Sequence, residues 1–577
     1  MLKKQKQFIE YLSGVDAEIK KTALTEHAIN TFKIEGYIDL IRKQELLVPV
    51  IGAFSAGKSS LLNSFLGQKV LPEGITPETA LATELRYSSE ERIEAINTDD
   101  RAETFLIEDV NKLRERASEF KFIKMYLNNH RLLEIEPLVL VDMPGFESPL
   151  EQHNKAIMEY INKGVHYVVL TSVEDGTITK SMTRQLENIK AYKRDFSFFL
   201  SKTNLKPHEE IEEIKLRAKD QLEDYFGKFD EIELVNDDGG ESLKGILTKI
   251  NPEKLFDNLF SEGLKEHFFS IKGELNTQIS ALGKSKNQND DAVEKLKKAL
   301  DEITRKRDLL VEEAKSKYSD SNINRVVELV GRDLSESLEE IVNAGVSGGE
   351  PAISKVINEI VKSSLIRNIQ DSMNEICGDI VDDFAVGLSD LNTTMSEFTL
   401  SDNWLEGITN TTKKMFDSVS GSLESFLNKR KEDKNNDVIY RTITSVLAIT
   451  TAVINPILEL VIVFLPDILN AIFGSMHKEK QKNQIRQAII TNIIPSLKRE
   501  LRVKLPSIFN EQINRIVNDV ASQFESVIQQ KKESIEVAQR KVDEKNIDIE
   551  KTIATYKSVN EAVTEMANNT IYGYEKE

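Results

Sequence analysis

Two short stretches carry residue types that can act together on a phosphate chain. The first is Gly52-Ala53-Phe54-Ser55-Ala56-Gly57-Lys58-Ser59-Ser60, set between the apolar run Leu46 to Ile51 and the apolar pair Leu61-Leu62. Glycines let successive backbone N–H groups converge on an anion, and a helix opening directly behind them adds its positive end. Lys58 at the end of such a loop would reach the β- and γ-phosphates, and the Ser59 hydroxyl would complete the shell of a Mg2+ ion. The second stretch is Asp142-Met143-Pro144-Gly145, at the tip of the apolar run Leu138 to Val141. An aspartate there can hold Mg2+ through water. The Gly145 N–H can contact the γ-phosphate, and losing that contact when the phosphate leaves is the basis of a nucleotide switch. Between the two, the turn Leu71 to Thr83 offers a threonine to coordinate the cation and place the attacking water. Thr79 is the first choice and Thr76 the second, with Thr83 read as part of a strand and a plain capped turn as the competing reading.

A third stretch, Ser201-Lys202-Thr203-Asn204, follows the apolar run Phe196 to Leu200. Guanine-selective proteins carry N/T-K-x-D here: the lysine packs on the base, and the aspartate accepts hydrogen bonds from guanine N1 and N2. Asn204 stands at the acceptor position. An amide offers one oxygen without charge or a bidentate carboxylate, so weaker base selection is expected, and ATP use is the alternative. The base-capping loop is placed at Val235-Asn236-Asp237-Asp238, with Asn236 as its contact residue.

These residues need a scaffold. From 46 to 250, short β-rich runs alternate with longer amphipathic segments. The expected strands are Leu47–Ile51, Thr83–Tyr87, Leu138–Asp142, Tyr167–Thr171, Phe196–Leu200 and Ile232–Val235. Their spacing predicts an α/β P-loop domain with a mostly parallel sheet, helices on both faces and the ligand at the carboxyl ends of the strands. Residues 1–45 read as amphipathic helices that need a partner elsewhere in the chain. Beyond 251 nearly everything reads as helix, with breaks expected at Lys284–Asp291, Asn343–Pro351 and Lys429–Asp437. Narrow apolar seams through Leu296, Leu300 and Ile303, and through Tyr556, Val559 and Val563, predict long helices packed at shallow angles. The domains are therefore 1–45, 46–250, 251–437, an apolar hairpin at 438–476, and returning helices at 477–577.

Composition narrows the functions. A net charge of −19 disfavours nucleic acid as the main partner. The single cysteine, Cys377, excludes internal disulfides and reads as a buried thiol in a reducing compartment. The seven histidines show no zinc-site spacing. Trp404 lies in a polar, loop-like stretch, where it reads as either a packing plug or a contact residue. The basic N-terminus has no apolar run behind it, so a cytoplasmic start is expected.

The phosphate loop, the Pro-Glu-Thr-Ala turn, the DMPG sequence and the helical remainder together resemble the dynamin superfamily of large GTPases. Within it the chain is most similar to the bacterial dynamin-like proteins of the LeoA-like type. The motifs cover residues 46 to about 240. The resemblance implies a GTPase head that hydrolyses GTP to GDP and phosphate with Mg2+, a helical neck and trunk, and a membrane-binding tip. It also implies self-association through heads and trunk, and in some members a companion dynamin-like protein. Ser55 matches the family serine that helps neutralise transition-state charge. Phe54 stands where many eukaryotic dynamins have glutamine and cannot orient a water, so hydrolysis by the chain alone should be weak.

The most apolar part is Val438 to Met476, split by Asn455-Pro456 and flanked by Lys429-Arg430-Lys431 and by Lys478, Lys480 and Lys482. Each arm of about 17 or 18 residues carries a charged residue, against roughly 20 uninterrupted apolar residues for a span. A hairpin entering one leaflet is expected, through Val446, Leu447, Ile449, Ile457, Leu458, Val461, Ile462, Phe464 and Leu465. It resembles the paddle of bacterial dynamin-like proteins and implies a cytoplasmic, peripherally membrane-associated protein. A hairpin buried in the trunk is the competing reading. In that case the chain is a nucleotide-dependent scaffold or signalling switch whose hairpin binds a protein partner.

Overall fold

A computed structural model describes residues 1–573 apart from 23, 25–28, 31, 54, 73–80, 98, 110–112, 114–115, 146–159, 161–162, 180–181, 184–185, 187–188, 190–193, 228, 230, 237, 400–403, 417–477 and 544–547. They form two compact units, one of residues 1–4 and 44–258, the other of residues 5–43 and 259–577.

The first unit is built on nine strands: β1 Leu46–Gly52, β2 Ala82–Tyr87, β3 Arg92–Asn97, β4 Ala102–Phe105, β5 Phe120–Leu127, β6 Leu138–Asp142, β7 His166–Ser172, β8 Asp195–Ser201 and β9 Ile232–Leu234. Their order in the sheet is β4-β3-β5-β2-β6-β1-β7-β8-β9. From β6 to β9 every pairing is parallel. On the other side β2 runs antiparallel to β6 but parallel to β5, and β3 is antiparallel to both its neighbours. All six expected strands are present, and β3, β4 and β5 are additional.

Central β1 is buried at every position, which explains its unbroken apolar run. Pro49 in its middle has no N–H to give, and the β1–β7 ladder starts only at Val50. Below it a single bridge joins Leu47 to Gly164, where Val165 N–H donates to the Leu47 carbonyl at 2.9 Å. A side chain on Gly164 would meet Pro49 Cδ at 2.9 Å, so this close approach requires glycine. One continuous core joins Leu47, Ile51, Val141, Val169, Phe198 and Leu200 of the strands to Ile214, Ala218 and Leu222 of the helix His208–Phe226.

The second unit is helical. Lys286–Glu336 packs along Ile494–Asp543 and along Leu338–Gly387. The break expected at Lys284–Asp291 is a chain reversal closed by a capping box between Ser285 and Gln288. The one expected at Asn343–Pro351 is a kink inside a helix, where Gly349 adopts φ +67°. The third lies outside the described residues. Just before Pro495, Ile489–Ile493 widens into a π turn, as a residue lacking an N–H promotes. Residues 5–43 group with this unit. Phe8, Tyr11, Leu12 and Val15 of Lys3–Ile19 are buried, and Gly14 lies against the Met566 thioether of Ile549–Thr570.

Polar groups are buried here too. Glu274, with no exposure, receives the Lys531 ammonium at 2.9 Å and the Ser534 hydroxyl. Trp404 opens the helix Trp404–Phe416 and is buried, which settles it as a packing residue rather than part of a loop. Cys377 is buried as well, and burial pushes its thiol pKa far up. Among the described residues no helix is long and apolar enough to cross a membrane. The stretch 438–476, where a hairpin is expected, lies outside them with all nine of its expected lipid-facing residues.

Candidate active site

β1 ends at Gly52, and its backbone is pressed against β7: a Cβ on Gly52 would stand 2.6 Å from the Leu170 carbonyl oxygen. The loop then turns twice through left-handed backbone. Ser55 adopts φ +64°, unusual for a residue with a side chain, and Gly57 adopts φ +88° as it opens the helix Lys58–Leu66. No side chain caps that helix, so its first N–H groups remain directed at the loop. Lys58 is buried, and its ammonium donates to the carbonyls of Gly52 at 3.1 Å and Ala53 at 2.9 Å. Ser60 follows on the helix.

The Ser59 hydroxyl donates to Asp142 Oδ2 at 2.8 Å across 83 residues of sequence. Parallel pairing of β1 with β6 causes this meeting, because the register places Asp142 opposite Val50, just before the loop. The other oxygen, Asp142 Oδ1, is buried with no hydrogen-bond partner. Burial raises the Asp142 pKa to about 6, against the pull of the Ser59 hydroxyl and the Lys58 charge. An orphaned carboxylate oxygen beside a serine hydroxyl is a donor set that suits a hard divalent cation. These residues therefore fit Mg2+, with Ser59 a ligand and Asp142 its support. Met143 and Gly145 behind Asp142 are buried.

A second group of candidate residues is assembled from the ends of β7, β8 and β9. Ser201, the last residue of β8, is buried and donates to the Ala56 carbonyl of the phosphate loop at 2.6 Å, with the Thr171 carbonyl at 3.2 Å. Lys202 follows at φ +59°, and its ammonium pairs with Glu174 in the turn after β7. Thr203 fixes this turn through its N–H and hydroxyl, both 3.2 Å from the Val235 carbonyl. Asn204 is exposed in the short 3-10 turn Thr203–Leu205. Asn236 shapes the turn after β9, where its side chain accepts from the Asp238 N–H at 2.9 Å. That turn is fastened to the phosphate-loop helix by the Gly240 N–H, which donates to Ser64 Oγ at 3.0 Å.

The structure thus brings Gly52, Ala53, Ser55, Ala56, Gly57, Lys58, Ser59 and Asp142 to one end of the sheet. Lys202, Asn204 and Asn236 stand on neighbouring turns of the same end. Phe54, Thr76 and Thr79 lie outside the described residues. Sequence reasoning missed Ser201 and Glu174. A buried serine at a strand end differs little from any other small residue in sequence, and the Glu174–Lys202 pair joins turns of two strands.

Residues 48–203 match the dynamin family. A protein of unassigned role encoded in the xynA 3' region of Caldicellulosiruptor sp. (strain Rt8B.4) is 26% identical, over 47% of this chain and 67% of its own. Dynamin-like protein 2 of Campylobacter jejuni is 28% identical, over 39% of this chain and only 37% of its own. Among solved structures, a chain of an oligomerised bacterial dynamin pair, described as sensing and tethering membranes over long range, aligns with 92% of this chain and 91% of its own. That likeness is loose, at 14% identity and a TM-score of 0.33. The family match begins inside β1 and ends one residue past Lys202, so it takes in the phosphate loop, Asp142 and Lys202 in the order the strands collect them. The likeness to the dynamin family is thus carried by residues 48–203.

Proposed function

We propose that this GTPase couples GTP hydrolysis to binding and remodelling of a membrane surface, through pairing of its nucleotide-binding units. The observation that carries the hydrolytic half is the Ser59–Asp142 hydrogen bond with the orphaned Asp142 Oδ1 behind it, next to the Lys58 ammonium. When bound, Mg2+ would neutralise charge on the β- and γ-phosphates. The protein's own part is positioning. Lys58 exchanges its two loop carbonyls for phosphate oxygens, the loop N–H groups hold the chain of phosphates, Gly145 is assigned to the γ-phosphate, and Ser55 to the charge that develops in the transition state. Thr79 is assigned to the cation and the attacking water. Weak turnover by the chain alone is expected, rising when two heads, or a head and a companion protein, meet.

The membrane half rests on the sequence of 438–476, with its apolar arms and flanking lysines. Two measurements test the proposal. Calorimetric titration of GTP, GDP and ATP with Mg2+ should show guanine-selective binding that Lys58→Ala abolishes. Equal affinity for ATP would make the base choice relaxed. Flotation with anionic liposomes should fail when 438–476 is removed. Equal flotation of both forms would transfer the hairpin's role to a protein partner.

A further inference from the structure

The turn that carries Lys202 is held from three sides. The β7–β8 register sets Ser172 opposite Ser201, so the turns that follow leave the sheet side by side. Ser201 ties the start of the Lys202 turn to the phosphate loop, and Thr203 ties its far side to Val235, the residue after β9. Only the lysine side chain then remains to be placed, and Glu174 takes that part. Glu174 is itself fixed: its N–H donates to the Ser172 hydroxyl at 3.1 Å, and that hydroxyl lies 3.3 Å from its Oε2. The same Oε2 receives the Lys202 ammonium.

A lysine stem serves as a platform for a purine ring only when it is held extended, since a free lysine side chain samples many rotamers. A carboxylate two residues after the lysine normally brings negative charge to this region, whereas Asn204 brings none. We infer that Glu174 is a positioning residue of the nucleotide-base site: it anchors the Lys202 ammonium and supplies the counter-charge that position 204 lacks. This rests on the GTPase reading of the same site. The ammonium also holds the Glu174 carboxyl below its usual range. It acts likewise on neighbouring Asp175, whose carboxyl burial nonetheless raises, so Lys202 faces two carboxylates on the β7 side.

The test is competition for the Mg2+-loaded site of the full chain by GTP, ATP and inorganic triphosphate, in wild type, Glu174→Gln and Glu174→Asp. Glu174→Gln should weaken GTP and ATP about fivefold, the scale of one partly exposed ion pair. Inorganic triphosphate, which has no base, should bind unchanged, and Glu174→Asp should recover part of the loss. Adding Asn204→Asp to Glu174→Gln should restore GTP but not ATP. Unchanged GTP affinity in Glu174→Gln overturns the inference. So does an equal loss for inorganic triphosphate, which would make Glu174 a prop of the fold. A wild type that binds GTP no better than inorganic triphosphate would remove the base site altogether, and Glu174's role with it.

Discussion

His267 gives the helical unit a calculable pH dependence. Its ring is buried, with 6% of its surface exposed, and Nε2 lies 2.8 Å from the Phe32 carbonyl oxygen. A carbonyl only accepts, so Nε2 carries the proton and the neutral ring leaves Nδ1 bare. Nδ1 is buried without a partner, and the Tyr37 ring packs edge-on at 4.7 Å between centroids. Protonation would bury a second N–H with nothing to receive it, and burial accordingly lowers the pKa to about 4 from 6.5. The folded value lies below the unfolded one, so this stability is complete above pH 6.5 and is lost as pH falls towards 4. Linkage between those two values gives a loss of about 2 kcal/mol at pH 5. His267→Gln retains a donor for the Phe32 carbonyl but does not titrate. Urea unfolding can be followed through Trp404, the only tryptophan, which is buried in the same unit. Between pH 7.5 and 5 the wild type should lose about 2 kcal/mol more than His267→Gln. Parallel losses in the two proteins would refute the reasoning.

Three further outcomes follow from single contacts. Ser59→Ala should weaken GTP about tenfold in Mg2+ and leave binding in EDTA unchanged, as read by calorimetry, because it removes a cation ligand and the partner of Asp142. Lys531→Met leaves the wholly buried Glu274 without its counter-charge. Denaturant unfolding should show a loss of about 3–5 kcal/mol, most of it recovered in the double variant with Glu274→Leu. Gly240→Val should lower the melting temperature of the sheet-bearing unit and weaken GTP, since its Cβ would meet the Ser64 and Phe65 backbone at 2.4–2.5 Å. Gly245→Ala, which faces open space, should do neither.

The central strands were legible because they are buried on both faces and so keep continuous apolar runs: all of β1, and β7 from Tyr167 onward. β3 and β5 were not, because one face of each is only half-buried and carries charge. Arg92 pairs with Glu94 within β3 and stacks on Tyr126 of β5 at 3.9 Å, so residues that look like solvated punctuation are cross-strand contacts. The helix break at Ser285 could be read from its serine and glutamine spacing, whereas the one at Ser337 has no glycine or proline to mark it. Within the site, the phosphate loop is local in sequence and was read directly. What braces it is not. Ser201 reaches Ala56 from 145 residues away, and Gly240 reaches Ser64 from 176.

These braces explain why so short a loop can hold a fixed shape. Ser55 and Gly57 sit in left-handed backbone, which a free loop would populate only in part. The cost is offset where neighbouring elements leave the loop no other path. β7 closes on Gly52 so tightly that no side chain fits, Ser201 holds Ala56, and the Lys58 ammonium joins the loop's own carbonyls. The ammonium is the brace best suited to yield, because a phosphate oxygen offers it a stronger, charge-assisted bond than a carbonyl does. Nucleotide would then meet a loop already shaped by the strand ends, with the Lys58 ammonium as the brace to be displaced. The binding energy is spent on the phosphates rather than on ordering the backbone.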